Sequence, residues 1–188
     1  VPFFIDGSVS ETMAKSVGLG ILRLVDELKR LKPDIVFVNA DRFEMMALAI
    51  AASYLNIPIA HNEAGDISGT IDESVRHAIT KLAHIHFSST EESKRRVLQM
   101  GENSEFVFNV GSPAIDAVKA IVEKNNVVGA SDLGLEGEQY LLVLIHPVAT
   151  DSSDMNTQMS RNLIEVLDNL KIRTVFLDLL EGFFQLAN

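Results

Sequence analysis

The chain has 188 residues, 47% hydrophobic and 22% charged, enough to bury the core of one large domain or two small ones. Its net charge is −10 with no Lys/Arg run longer than three residues, which argues against nucleic acid or an anionic membrane as main partner but leaves an anionic small ligand open, since that needs only a few local donors. It has no cysteine, which excludes a disulfide scaffold and a cysteine-based zinc site, and no apolar run reaches the ~18 residues of a spanning helix, so a cytoplasmic location is the expectation.

The opening run, Val1-Pro2-Phe3-Phe4-Ile5, reads like the inside of a strand and is broken by Gly7-Ser8. Ser10-Glu11 then open a helix with apolar residues at Met13, Val17, Ile21, Leu24, Val25, Leu28 and Leu31, close to the helical period. Gly18 and Gly20 weaken this helix but suit close packing, and Lys32-Pro33 ends it. Ile35-Val36-Phe37-Val38 is a continuous apolar run, as expected of a strand buried on both faces of a parallel sheet. An alanine-rich helix from Met45 to Leu55 follows, and Ile57 to Ala60 is the next short strand.

A dense polar stretch, His61 to His77, comes next, between that strand and a helix expected over Ser74–Leu82. Open α/β sheets bind ligands beyond the carboxyl ends of their strands, so such a segment is a candidate site. A strand at Ile85–Phe87 leads to Ser88-Ser89-Thr90-Glu91-Glu92, a helix start with its capping residue and acids in the first turn. That helix runs to Met100 and stops at Gly101. Phe106–Val110 is a strand, and Ser112-Pro113 starts a helix to about Lys124. Residues 125–138 are rich in Asn, Gly, Ser and acids and read as a linker between two domains, 1–124 and 139–188. Tyr140–Ile145 is a buried strand followed by His146-Pro147, Met155–Leu170 a helix and Arg173–Leu177 a strand. The remainder reads as an unfinished helix. Strands alternating with helices imply right-handed βαβ units and a doubly wound parallel sheet.

Asp41, Glu63 and Asp72 stand at strand ends or just beyond. If the strands ending at Ala40 and Ala60 are neighbours, Asp41 and Glu63 share one sheet edge, where their repulsion raises at least one pKa. A raised carboxyl serves as general acid while its neighbour serves as base. Capping a helix is the competing role for Asp41 and Asp72. Arg42 and Arg76 could grip an anion in bidentate fashion, although an ion pair with a nearby acid is the commoner fate of a lone arginine. The five histidines lack a tight metal-ligand pattern. His84 and His86 alternate along a strand and face opposite ways, as core or hydrogen-bonding residues do. His146, at the end of a buried strand, could donate to a phosphate or sugar oxygen, or simply cap the turn before Pro147. No Walker motif and no G-x-G-x-x-G after a strand is present.

Asp41-Arg42-Phe43-Glu44, the run Ile57 to Asp66, and the block Ser68-Gly69-Thr70-Ile71-Asp72-Glu73-Ser74-Val75-Arg76-His77-Ala78-Ile79-Thr80-Lys81 closely resemble the hydrolysing UDP-N-acetylglucosamine 2-epimerases of sialic acid biosynthesis. Phe108 to Pro113 and His146 to Thr150 continue the likeness in order. The resemblance implies a glycosyltransferase-B fold, two Rossmann-like α/β domains with the active site in the cleft between them. The second domain would be incomplete, and the first would lack its opening strand and glycine loop. It implies conversion of UDP-N-acetylglucosamine and water to N-acetylmannosamine and UDP through a glycal, with no cofactor and no metal. Asp41, Glu63 and Asp72 match the catalytic acids, without an assignment of each to a step. Arg42 and His146 match nucleotide contacts, and Arg76 and His77 join them as substrate-binding candidates. A homodimer or homotetramer is implied. A UDP- or GDP-linked diacetamido sugar is the alternative substrate, and an inactive nucleotide-sugar-binding domain the alternative function. Ala40 stands where a glycine is usual, and Asn62 where an apolar residue is usual.

Overall fold

The computed structural model describes residues 2–3, 5, 10–124, 129–145, 153–177 and 184–187. The chain divides into two compact units, Val1–Lys119 and Ala120–Asn188.

In the first unit, helix α1 (Ser10–Leu31) is followed by β1 (Val36–Asn39), α2 (Phe43–Tyr54), β2 (Ile59–Asn62), α3 (Ile71–Leu82), β3 (Ile85–Ser88), α4 (Glu91–Gln99) and β4 (Val107–Asn109). The four strands form one parallel sheet in sequential order. Each crossover steps one strand in the same direction, and right-handed connections then place the intervening helices on one face. Val36, Val38, Ile59, His61, His86, Ser88 and Val107 turn to that covered side and are buried. The core joins Leu28 of α1, Val36 and Val38, Ala49, Ala51 and Ala52 of α2, Ile59, and Ile79 and Ala83 at α3. Alanines let α2 lie close to the sheet and to α1, and a Cβ on Gly20 would stand 3.0 Å from the Ala47 methyl. Gly18 faces open space, so the close packing belongs to Gly20 alone of that pair. On the other face, Phe37, Phe87 and Phe108 make a diagonal ladder of tilted rings 6.3 and 6.0 Å apart.

Helix α5 (Pro113–Glu123) comes next, and the expected linker contains a 3₁₀ turn, Ala130–Leu133, followed by the fully buried Leu135. The second unit holds β5 (Tyr140–Val143), α6 (Ser153–Leu170), β6 (Arg173–Leu177) and β7 (Phe184–Ala187). Strands β5 and β6 pair in parallel, whereas β7 adds antiparallel to β6. This corrects the expected helical fragment at the end of the chain. The open edge of β6 offers unpaired backbone groups, and a segment this short gains more from them than from a single helical turn.

Strand β2 also runs two residues later than its apolar run suggested, over Ile59–Asn62 instead of Ile57–Ala60. His61 and Asn62 are therefore strand residues, and both are buried. The reason is visible in the partners. The His61 ring is hydrogen-bonded at both nitrogens, and the Asn62 amide donates to the Asn39 side-chain oxygen of β1 at 2.7 Å.

Candidate functional site

Parallel pairing of Asn39 with Asn62 brings the ends of β1 and β2 level, so Asp41 and Glu63 do share one edge of the sheet. Both exits are kinked. Ala40 has φ +61° and Glu63 has φ +61°, the left-handed region that side chains with a Cβ seldom occupy. For Ala40 this explains why glycine is the easier residue there. For Glu63, a strained backbone at a strand end is the kind of outlier that gathers at working sites. No hydrogen bond or ion pair engages the Glu63 carboxylate among the described residues.

Beyond Glu63 the chain turns at Gly65 (φ +82°), whose carbonyl accepts from Arg96 of α4 at 2.7 Å. A Cβ on Gly65 would lie 2.3 Å from the Ser93 carbonyl oxygen, so the loop sits against α4 only with glycine there. Asp66 accepts from the Ser89 hydroxyl at 2.9 Å. Glu73 folds back from α3 to accept from the backbone N–H groups of Ser68 and Gly69 at 3.1 and 2.9 Å, which lowers its pKa. Thr70 caps α3, its hydroxyl oxygen 3.3 Å from both the Asp72 N–H and the Asp72 carboxylate. Asp72 thus lies in the first turn of α3 and does not itself cap it.

One turn on, Arg76 reaches back to β1. Its guanidinium forms an ion pair with Asp41, with the side chains only 10% and 14% exposed. Burial raises the Asp41 carboxyl above its ordinary value, the Arg76 charge opposes the rise, and the Asp72 charge adds to it. The repulsive carboxylate partner is therefore Asp72, where the strand-end argument pointed to Glu63. The Arg76 Nε and the His77 Nδ1 are buried without a hydrogen-bond partner among the described residues.

Arg42 takes a different course. Its guanidinium grips Glu44 through two hydrogen bonds, at 3.2 and 2.8 Å, and its side chain is 70% exposed. His146 lies outside the described residues. His86 is buried with its Nε2 3.3 Å from Glu102, and His84 accepts from the Ile59 N–H at 3.3 Å. Among the described residues no cluster of three or more His, Cys, Asp or Glu side chains is arranged to hold a metal ion. No described helix is long and apolar enough to cross a membrane.

The residue that the motif left in the background is His61. Its Nε2 is 2.9 Å from the Ala40 carbonyl oxygen and its Nδ1 3.1 Å from the Thr80 hydroxyl. Burial pushes its pKa down to about 4, so the ring is neutral near pH 7. The Ala40 carbonyl can only accept, so the ring proton sits on Nε2. The available sequence signal was the alternation of Ile59 and His61, which predicts a shared buried face once the strand is extended by two residues.

Residues 2–178 match the family model described as UDP-N-acetylglucosamine 2-epimerase. The UDP-N,N'-diacetylbacillosamine 2-epimerase (hydrolyzing) of Legionella pneumophila is 38% identical over 159 residues, 84% of this chain and 42% of that protein. The GDP/UDP-N,N'-diacetylbacillosamine 2-epimerase (hydrolyzing) of Campylobacter jejuni is 33% identical over 174 residues, 91% of this chain and 45% of the relative. Among solved structures, the UDP-N-acetylglucosamine 2-epimerase of Rickettsia bellii superposes with a TM-score of 0.71 at 26% identity, over 87% of this chain and 44% of that one. The fold is accordingly glycosyltransferase-B-like, and the chain spans less than half the length of these relatives.

Proposed function

This chain belongs to the UDP-N-acetylglucosamine 2-epimerase family, and from that premise we propose that its full-length protein catalyses the hydrolysing 2-epimerisation of a UDP-linked 2-acetamido sugar. In this reading a carboxylate removes the C2 proton and UDP leaves from C1, giving a glycal. Water then adds to the glycal with inversion at C2, so that the products are UDP and the free 2-epimer. The C2 hydrogen is weakly acidic, and one positioned base contributes roughly 10²–10⁴-fold.

The observation that carries the proposal is the gathering of Asp72 and Arg76 of α3 around Asp41, at the sheet edge that Asp41 shares with Glu63. Glu63, its carboxylate uncommitted among the described residues, suits the base that takes the C2 proton. Asp41, held in an ion pair by Arg76, is the second acid of this reading, and Asp72 completes the set needed for hydration. Arg76 and His77 lie one turn further along α3 and supply donors for the sugar or diphosphate, where charge grows as the C1–O bond breaks. Arg42 and His146 are the further nucleotide contacts in this reading. Two sugars fit the chemistry, UDP-N-acetylglucosamine and its 2,4-diacetamido counterpart. The names of the Legionella and Campylobacter relatives favour the second. A cytoplasmic homo-oligomer is part of the same reading.

The test is incubation of the full-length protein with each UDP-sugar in deuterated water, followed by NMR. Free 2-epimer carrying deuterium at C2, together with UDP, is the expected result. Release of unepimerised sugar without exchange at C2, or a 2-epimer still linked to UDP, would overturn the proposal.

A further inference from the structure

The Asp41–Arg76 ion pair is tied at both ends to one buried side chain. On the Asp41 side, the Nε2–H of His61 donates to the carbonyl of Ala40, at the left-handed bend immediately before the aspartate. On the Arg76 side, the Thr80 hydroxyl gives its one proton to the neutral His61 Nδ1, and Thr80 follows Arg76 by one turn of α3. His61 itself is 0% exposed and in register with Val38 of β1, so it has no freedom to follow a moving partner. The ring, Ala40, Asp41, Arg76 and Thr80 thus close a loop that crosses from β2 to the end of β1, over to α3 and back.

We propose that His61 is a positioning residue for Asp41, holding the Ala40 bend and the Arg76 turn of α3 so that the carboxylate and the guanidinium meet in one geometry. The inference rests on Asp41 taking part in the chemistry proposed above. It assigns His61 no proton transfer and no contact with substrate. A left-handed alanine is held against its own preference, and a hydrogen bond from a rigid, fully packed ring supplies the restraint. Without it, the bend is held only by the Ala40 N–H bond to the Asn62 carbonyl at 3.2 Å, and its relaxation swings the Asp41 carboxylate away from Arg76. Misplacement of a reacting group by about 1 Å costs on the order of 10²-fold in rate.

The test compares His61→Gln, which keeps an N–H donor at about the reach of Nε2, with His61→Leu, which keeps bulk and loses both hydrogen bonds. Thr80→Val, which cuts only the link to α3, is the milder variant should His61→Leu fail to fold. All are made in the full-length protein. For His61→Leu the expected result is a fall in kcat of about 10²-fold, KM within about threefold, and substantial rescue by His61→Gln. Thr80→Val shifts kcat the same way by a smaller factor.

A second readout is independent of turnover: the Asp41 carboxyl ¹³C resonance, followed through its titration. Arg76 and Asp72 from α3, with Arg42 next in the chain, are the charged groups that act on the Asp41 region. Losing the Arg76 contact moves the Asp41 midpoint further up, because the charge that opposes the rise is withdrawn. If His61→Leu leaves kcat and the Asp41 titration unchanged, or if His61→Gln is no better than His61→Leu, the positioning role is wrong. If Asp41→Asn retains full activity, the catalytic reading of Asp41 fails. The carboxyl titration of the His61 and Thr80 variants then still decides whether His61 holds the pair.

Discussion

At the scale of single residues, the two strand-end carboxylates sit in opposite surroundings. Asp41 is buried against Arg76, whereas the Glu63 carboxylate makes no hydrogen bond or ion pair among the described residues. Replacing Glu63 by Gln keeps the shape and removes the base. The expected outcome in the full-length protein is a fall in kcat of at least about 10²-fold, with UDP affinity by calorimetry close to that of the unaltered protein. A fully active variant would remove Glu63 from the mechanism. His61 permits a second prediction. Its pKa is about 4 folded against an ordinary 6.5, so below pH 6.5 the unfolded chain takes up a proton that the folded one refuses. The neutral ring's contribution is fully present above about pH 6.5 and is lost as pH falls toward 4, a total of about 3 kcal/mol. Urea unfolding followed between about pH 7 and pH 4 should show this decline, and His61→Gln should flatten much of it. The buried His86, also lowered chiefly by burial, adds a slope of the same sign that the variant leaves in place. The sheet-end positions of Asp41 and Glu63 were legible because acids just past apolar runs fall there, whereas Asp72 lies in the first turn of α3 and follows no such rule. The role of His61 was not legible, because it depends on a through-space bond to a carbonyl that no spacing rule encodes.

At the scale of elements, the loop from β2 to α3 carries the candidate acid Glu63 and is held by its two neighbours. Gly65 fixes it against α4, and Glu73 and Thr70 fix it to the start of α3. The two glycines of this loop both have positive φ, yet they differ in surroundings. Gly65 faces the Ser93 carbonyl at 2.3 Å from an added Cβ, while Gly69 faces open space. Gly65→Ala should therefore cost about 3 kcal/mol, combining backbone strain with a clash that only movement of α4 relieves. Gly69→Ala should cost about 1 kcal/mol, the strain alone. Denaturant midpoints of the two variants test the difference, and equal losses would mean that the loop is not seated on α4. Most elements were legible from periodicity and caps, with α1 starting at Ser10 and β6 spanning Arg173–Leu177 as expected. The misses have physical causes. Strand β2 extends into polar residues because His61 and Asn62 find partners on adjacent elements, and α3 begins at Ile71, three residues early, because Thr70 caps it. The final segment is a strand because the edge of β6 is available, which its own sequence does not reveal.

At the scale of the whole molecule, the three acids, Arg42, Arg76 and His77 all fall in the first unit, and His146 falls by number in the second. The alternation of strands and helices was enough to read an α/β fold with parallel pairing. The choice of sugar was not legible, since carboxylates that remove a C2 proton act next to a group common to both candidate substrates. Discrimination must come from contacts around C4 and C6, since one sugar carries a hydroxyl at each and the diacetylbacillosamine sugar of the relatives' names carries an acetamido group at C4 and a methyl group at C5. A site built to hydrogen-bond a particular substrate group rejects the analogue lacking it by about 10⁴-fold or more, whereas a pocket that merely accommodates bulk discriminates by roughly 10–200-fold. If the diacetamido sugar is the substrate, its kcat/KM should exceed that of UDP-N-acetylglucosamine by at least about tenfold. Competition between the two sugars for the full-length protein, with the free products quantified by NMR, measures that ratio directly. A ratio below one would reverse the assignment while leaving the carboxylate chemistry intact, because Glu63→Gln should silence both reactions equally.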